Sequence, residues 1–242
     1  MPPASPVLPV HIVWDWNGTL LDDLDHMVNA VNRCREAIGE PRVDADTYRQ
    51  KHCLPIRHFH DRLCGRPVTD SEWATVQRTF AEQMAARLPP VRTGAAALLF
   101  RIAEQGHTQS LLSLTSDAQL RREVAWTHFD MFFQRIDGRH EPDTPKSEAL
   151  RSHLAALGEP DRRRVVLIGD TTDDAEAART CGVRAVLHTG GFETPENLRT
   201  AGTPVVDSLN AAARLAVEQP TRASEQTSIP DSVPRRDTRR HR

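Results

Sequence analysis

The sequence predicts an α/β fold: a parallel sheet interrupted early by a helical insertion. Two observations carry this. An apolar strand, Val10 to Trp14, is followed by a long, charged stretch with helical spacing that runs to Pro89-Pro90. After that point short apolar runs alternate with helical patterns, which calls for parallel strands joined by crossovers.

The elements follow in order. The first strand ends at Asp15, and Asn17-Gly18 is a turn signal directly after it. Leu24, Met27, Val28, Val31 and Ala37-Ile38 recur at helical spacing, with Gly39 and Pro41 as the stop. Asp44 or Asp46 caps the next helix, and Tyr48 to Cys64 holds one or two short ones. Thr69-Asp-Ser-Glu opens another, whose Trp73, Val76, Phe80 and Met84 form an apolar packing stripe. Beyond Pro90 the pattern predicts a helix over 93–105 stopped by Gly106, a strand over 109–114 and a helix over 117–129. A strand over 132–136, a helix over 146–157, a strand over 164–169 and a helix over 173–181 come next. A strand over 184–188, the short strand Val205-Val206 and a helix over 209–217 complete the series.

The insertion is too long and too periodic to be a loop. The expected organisation is therefore a core of residues 8–22 and 90–217, a helical lid of residues 23–89, and a polar tail, 218–242, read as disordered. The tail ends in a run of arginines, and a solvated terminus is the expectation for it. The net charge of −2 gives no general attraction to nucleic acid, so no nucleic-acid partner is expected. No run approaches the ~18 apolar residues of a membrane span, and no secretory signal is visible at the N-terminus. Cysteines 34, 53, 64 and 181 lack CxxC spacing and read as reduced thiols of a cytoplasmic protein. Cys53 and Cys64 flank His58 and His60 with a spacing that fits no standard zinc site.

Acidic residues mark the ends of two strands. Asp15 closes the first, where an open α/β sheet binds ligands; it can be a nucleophile, a metal ligand or a turn cap. Val165-Val-Leu-Ile-Gly is followed by Asp170, Asp173 and Asp174. Carboxylates gathered on one side of a sheet repel unless a cation or a proton offsets them, and an oxygen-only set suits Mg²⁺. The competing reading is a helix cap supplied by Thr172 or Asp173. Lys146 starts a helix, an unfavourable place for a cation unless it faces an anion. Ser113 supplies a hydroxyl near a third strand end, with Thr115 and Ser116 as competitors.

Taken in order, Asp15-x-Asn-Gly-Thr-Leu-x-Asp, the strand-end Ser, the Lys before a helix and Gly-Asp170-x-x-x-Asp174 resemble the haloacid dehalogenase superfamily. The likeness is greatest to phosphoglycolate-phosphatase and β-phosphoglucomutase types with a helical cap, and it spans about residues 8–215. It implies a Rossmann-like core, a cap that selects a small phosphorylated substrate, and a phosphatase reaction through an aspartyl-phosphate on Asp15. It further implies Mg²⁺ on Asp15, the Asn17 carbonyl oxygen, Asp170 and Asp174. Ser113, Lys146 and the backbone N–H groups from Trp16 onward would hold the phosphoryl oxygens. The pattern has Asp where this chain has Asn17, the position that handles the leaving-group proton. A different acid (His26, His58, His60 or Asp22), a substrate needing no proton, or a catalytically weak phospho-ligand binder would each accommodate that. A dehalogenase is the remaining alternative. The basic stretch Arg57, His58, His60, Arg62, Arg66 is either a contact to a second anionic group or a solvated face.

Overall fold

The strand that opens the chain lies in the middle of the sheet. β1 (His11–Trp14) is buried along its whole length, with Ile12 and Trp14 on one face and Val13 on the other, as expected for a strand covered by helices on both sides. The computed structural model describes residues 9–141 and 144–218. The rest of the tail expected to be disordered lies outside them. Among the described residues the sheet has six strands, all parallel, with β1 between β2 (Thr108–Ser116) and β4 (Val165–Gly169). β3 (Ile136–Arg139) borders β2, while β5 (Arg184–His188) and β6 (Val205–Val206) extend the other side. The order therefore reverses direction next to β1, and ligands of open α/β sheets bind at such a switch point.

Between β1 and the rest of the sheet the chain forms α1 (Leu24–Ala37), α2 (Ala45–Lys51), α3 (Ile56–Cys64) and α4 (Asp70–Ala86). Asp44 caps α2 by accepting from the Thr47 N–H at 2.7 Å. Thr69 and Glu72 cap α4 reciprocally. Val28, Val31, Tyr48, Phe59 and Leu63 give this segment its own apolar cluster. Of the α4 stripe, Val76 and Met84 are buried, and Trp73 and Phe80 are partly covered. Leu21 and Val91 pair as an antiparallel bridge where the chain leaves and re-enters the core.

His60 is buried in this segment, its ring against Phe59 and Trp73. Burial, with Arg35 adding to it, lowers its pKa to about 4. The unfolded chain thus takes up a proton that the fold does not, and stability falls as the pH drops from 6.5 towards 4. His60→Leu removes this penalty, so the variant should gain about 2 kcal/mol on wild type between pH 7 and pH 5. Urea unfolding at the two pH values measures it; a constant difference would mean that His60 titrates normally.

In the core, α5 (Ala95–Glu104), α6 (Asp117–Thr127) and α10 (Leu209–Val217) cover the Trp14 face. α7 (Lys146–Ala156) and α8 (Thr172–Cys181) cover the Val13 face. A polar chain ties α7 down: His153 Nε2 bonds Ser110 Oγ at 2.8 Å and its Nδ1 bonds Asp137 at 2.6 Å, while His11 reaches the same Ser110 at 2.7 Å. Since α7 begins at Lys146, this chain also sets where that lysine stands.

Three expectations are corrected. The strand expected over 132–136 begins four residues later, as Ile136–Arg139; Phe129 and Phe132 instead pack under α5 and α6 around a single tight turn. An edge strand can be polar, so apolar content misplaced it. The cap of α8 is Thr171, with Asp174 as its reciprocal partner, rather than Thr172 or Asp173. A short helix, α9 (Pro195–Arg199), was not anticipated; Thr194 caps it and Pro195 starts it.

Candidate active site

Asp15 extends β1 by one residue: its N–H donates to the Ile168 carbonyl oxygen of β4 at 2.9 Å. Asp170 follows the end of β4, so two carboxylates leave adjacent strands on the same side. Asp174 joins them from the first turn of α8. Carboxylate oxygens of Asp15, Asp170 and Asp174 all lie within 4.8 Å of one another, and all three residues are buried. Lys146 is buried as well and pairs with Asp15 and Asp174. Three acids against one lysine leave the cluster short of positive charge.

The electrostatics follow from that shortage. Burial pushes the Asp15 carboxyl up to about 7, against the pull of Lys146 and with the help of Asp174. Burial together with Asp15 and Asp174 also raises Asp170 well above the carboxylate range. Burial alone would lower the Lys146 pKa, but Asp15 and Asp174 outweigh it and hold the ammonium charged. An all-oxygen set with excess negative charge fits a hard divalent cation.

Asp170 is fixed at both oxygens. Thr19 Oγ1 donates to Oδ1 at 2.9 Å, and the Phe192 N–H donates to Oδ2 at 2.7 Å. The turn Trp16–Leu20 passes so close that a Cβ on Gly18 would stand 2.3 Å from Asp170 Oδ2, and Gly18 has φ +70°. Gly18→Ala is therefore expected to lose about 2 kcal/mol or more and to displace Asp170. Urea unfolding and a cation titration test this; wild-type values for both would refute the close approach.

The remaining expected residues divide. Trp16 has its ring in the core, donating to Glu123 Oε2 at 2.8 Å and lying edge-on to Phe129; only its backbone can face a substrate. Ser113 is buried, and its hydroxyl accepts the Thr115 N–H at 3.0 Å. The hydroxyl that reaches the turn after β1 is that of Thr115, which donates to Asn17 Oδ1 at 2.6 Å. Asn17 in turn donates from Nδ2 to Asp23 Oδ2 at 2.7 Å, and the Gly18 N–H donates to Asp23 Oδ1 at 2.7 Å. Asp23 is fully buried, and burial raises its pKa to about 6 against those two hydrogen bonds.

Of the alternative acids, Asp22 is exposed and pairs with Arg92 at 3.3 Å. His58 is exposed, and His60 is packed inside the helical insertion. Within the basic stretch, Arg57 pairs with Asp70, Arg66 pairs with Glu40 and Glu72, and Arg62 donates to the Gln50 carbonyl oxygen. The arginine that crosses to the core is Arg49, whose Nε donates to the Gly191 carbonyl oxygen at 3.0 Å. Among the described residues, Cys53, Cys64, His58 and His60 do not converge as a metal-binding group.

Sequence reasoning missed Asp23, Arg92 and Phe192, and it had Thr19 only as part of the turn motif. The adjacent pair Asp22-Asp23 was the available signal for the first. Arg92 is recognisable only in space: its guanidinium donates to the carbonyl oxygens of Thr19 and Gly18, each at 2.7 Å, and of Leu21 and Gly190, each at 3.1 Å.

The chain resembles known proteins in both sequence and fold. Residues 12–188 match the family model described as haloacid dehalogenase-like hydrolase. The protein named "Probable phosphatase IndB" from Dickeya dadantii is 25% identical over 204 residues, covering 81% of this chain and 87% of that one. A phosphoglycolate phosphatase from Synechococcus elongatus is 28% identical over 195 residues, covering 78% and 88%. In fold, a haloacid dehalogenase-like family hydrolase from Streptococcus pneumoniae superposes with a TM-score of 0.73 at 19% identity, covering 86% of this chain and 98% of that one. No helix among the described residues is long and apolar enough to cross a membrane. Its family match spans the first strand, the insertion and the strands that carry the acidic cluster, and this chain belongs to the haloacid dehalogenase-like hydrolases.

Proposed function

We propose that this hydrolase cleaves phosphoric monoesters of small phosphorylated metabolites, with Asp15 as nucleophile and Mg²⁺ as cofactor. The observation that carries the reading is the buried meeting of Asp15, Asp170, Asp174 and Lys146 at the ends of two neighbouring strands. The relatives named as phosphatases support the same reaction class. A dehalogenase would have no use for two further buried carboxylates around the nucleophile.

In this reading an Asp15 oxygen attacks phosphorus as the ester P–O bond breaks, and water later hydrolyses the aspartyl-phosphate. Lys146, the Thr115 or Ser113 hydroxyl and the backbone N–H groups from Trp16 onward hold the phosphoryl oxygens. Held by Asp15, the Asn17 carbonyl oxygen and Asp170, with Asp174 in support, Mg²⁺ would neutralise charge on the transferring group. The helical insertion, residues 23–89, is the cap that excludes water and selects the substrate. Asn17 can donate a hydrogen bond to the leaving oxygen but no proton, and its amide is already engaged by Asp23.

The test is phosphate release from an aryl and an alkyl phosphate, with Mg²⁺ and after its removal by chelation. General acid help is worth about 10²–10⁴-fold, so the aryl ester should turn over at least about 10²-fold faster. Chelation should stop both. Equal rates on the two esters would show that another residue supplies the proton. No release from the aryl ester under either condition would overturn the assignment.

A further inference from the structure

The loop after β5, Gly190-Gly191-Phe192-Glu193, follows a core strand but packs into the helical insertion. The Phe192 ring is buried with Val28, Val31, Tyr48, Phe59 and Leu63. Its centroid lies 5.9 Å from that of Tyr48. The same residue donates its backbone N–H to Asp170 Oδ2 at 2.7 Å. One residue thus has its ring in the insertion and its amide on a carboxylate of the acidic cluster. The Arg49 bond to the Gly191 carbonyl oxygen is a second tie from the insertion to this loop. There is little slack between loop and carboxylate, since a Cβ at position 191 would stand 1.9 Å from Asp170 Oδ2.

We propose that Phe192 is a positioning residue that couples the seating of the helical insertion to the orientation of Asp170, and through it to the cation affinity of the three-carboxylate cluster. The inference rests on reading that cluster as a metal site. Two donors orient Asp170: the Thr19 hydroxyl, which belongs to the core turn, and the Phe192 N–H. The second is aimed by a ring whose neighbours all lie in the insertion. When the insertion lifts, the ring loses its packing and the amide loses its aim. Binding free energies are reciprocal, so a cation on Asp170 must favour the seated insertion by the same factor that seating favours the cation.

Calorimetric titration of the full chain with Mg²⁺ alone tests the coupling without reference to turnover. Phe192→Ala keeps every proposed ligand yet should weaken binding about tenfold, the usual effect of losing support behind a metal ligand. Phe59→Leu, which touches no acidic residue of the cluster, should weaken it in the same direction. The double variant should bind no worse than Phe192→Ala alone, because both act through one contact. Phe192→Leu should recover most of the affinity. Val76→Ala, buried in the insertion outside this cluster, should leave it within about twofold. Wild-type affinity in Phe192→Ala, or an equal loss in Val76→Ala, would overturn the coupling. A wild-type protein that binds no Mg²⁺ would overturn the metal reading itself, and the coupling with it.

Discussion

Asp15→Asn is expected to lower phosphate release by at least about 10⁴-fold while making the metal-free protein harder to unfold at pH 8. The first effect follows from losing the nucleophile: an amide cannot form the acyl-phosphate. The second follows from the raised carboxyl. Its pKa is about 7 in the fold, against 3.8 for the unfolded side chain, chiefly through burial. Between those values the unfolded chain releases a proton that the fold retains, so the penalty grows as the pH rises from 3.8 and is complete above 7. The variant leaves Lys146 with one carboxylate fewer, which offsets part of the gain, and roughly 1–3 kcal/mol should be recovered at pH 8. More than half of that gain should vanish by pH 5, where the wild-type carboxyl is mostly protonated. Urea unfolding in chelator at the two pH values gives the comparison. Added Mg²⁺ should then reverse the ranking, stabilising wild type and barely affecting the variant. A variant no more stable than wild type at pH 8, and equally responsive to Mg²⁺, would place Asp15 outside the cation site.

What could be read from the chain follows a physical division. β1, β4 and β5 are legible because each centres on a run of apolar residues, the mark of a strand covered on both faces, and their ends are marked by the polar residues that follow. Asp15, Asp170, Asp174 and Lys146 are legible as neighbours for the same reason, since parallel strands bring their carboxyl ends to one side. β3 is not, because an edge strand needs no apolar residues, and the phenylalanines beside it are used for packing. That the Thr115 hydroxyl reaches Asn17 could not be read from alternation alone, since β2 runs two residues further than its apolar run and shifts register against β3. Asp23 and Phe192 are harder still. Asp23 holds Asn17 and Gly18 through a local turn, and the acidic pair that contains it does not say which member turns inward. Phe192 acts through a contact that exists only after the insertion has folded back on the core, and a Gly-Gly-Phe tripeptide carries no sign of that.

Asn17→Asp alone is expected to raise turnover of an alkyl phosphate by less than about tenfold, and Asn17→Asp with Asp23→Asn by about 10²-fold or more. Restoring a carboxyl at position 17 would by itself put two buried acids where Asn17 Nδ2 now donates to Asp23 Oδ2 at 2.7 Å. Such a pair cannot ionise fully and shares one proton. Asp23, already raised to about 6, would keep that proton between the two residues instead of releasing it to a leaving alcohol. Exchanging both side chains keeps the hydrogen bond and reverses its direction: the amide at position 23 donates to the carboxyl at position 17. The Gly18 N–H still finds an oxygen at position 23, and the Thr115 hydroxyl still finds one at position 17. The readout is kcat/KM for the alkyl ester from pH 5 to 9, set against the aryl ester as a control that needs no proton. The aryl rate should change little in either variant. A single substitution as active as the double one would mean that Asp23 places no constraint on position 17. If neither variant gains on the alkyl ester while both keep wild-type aryl activity, position 17 does not face the leaving oxygen. Non-additivity of the two changes is the discriminating result, because only a direct contact between the two side chains makes the second substitution the condition for the first to work.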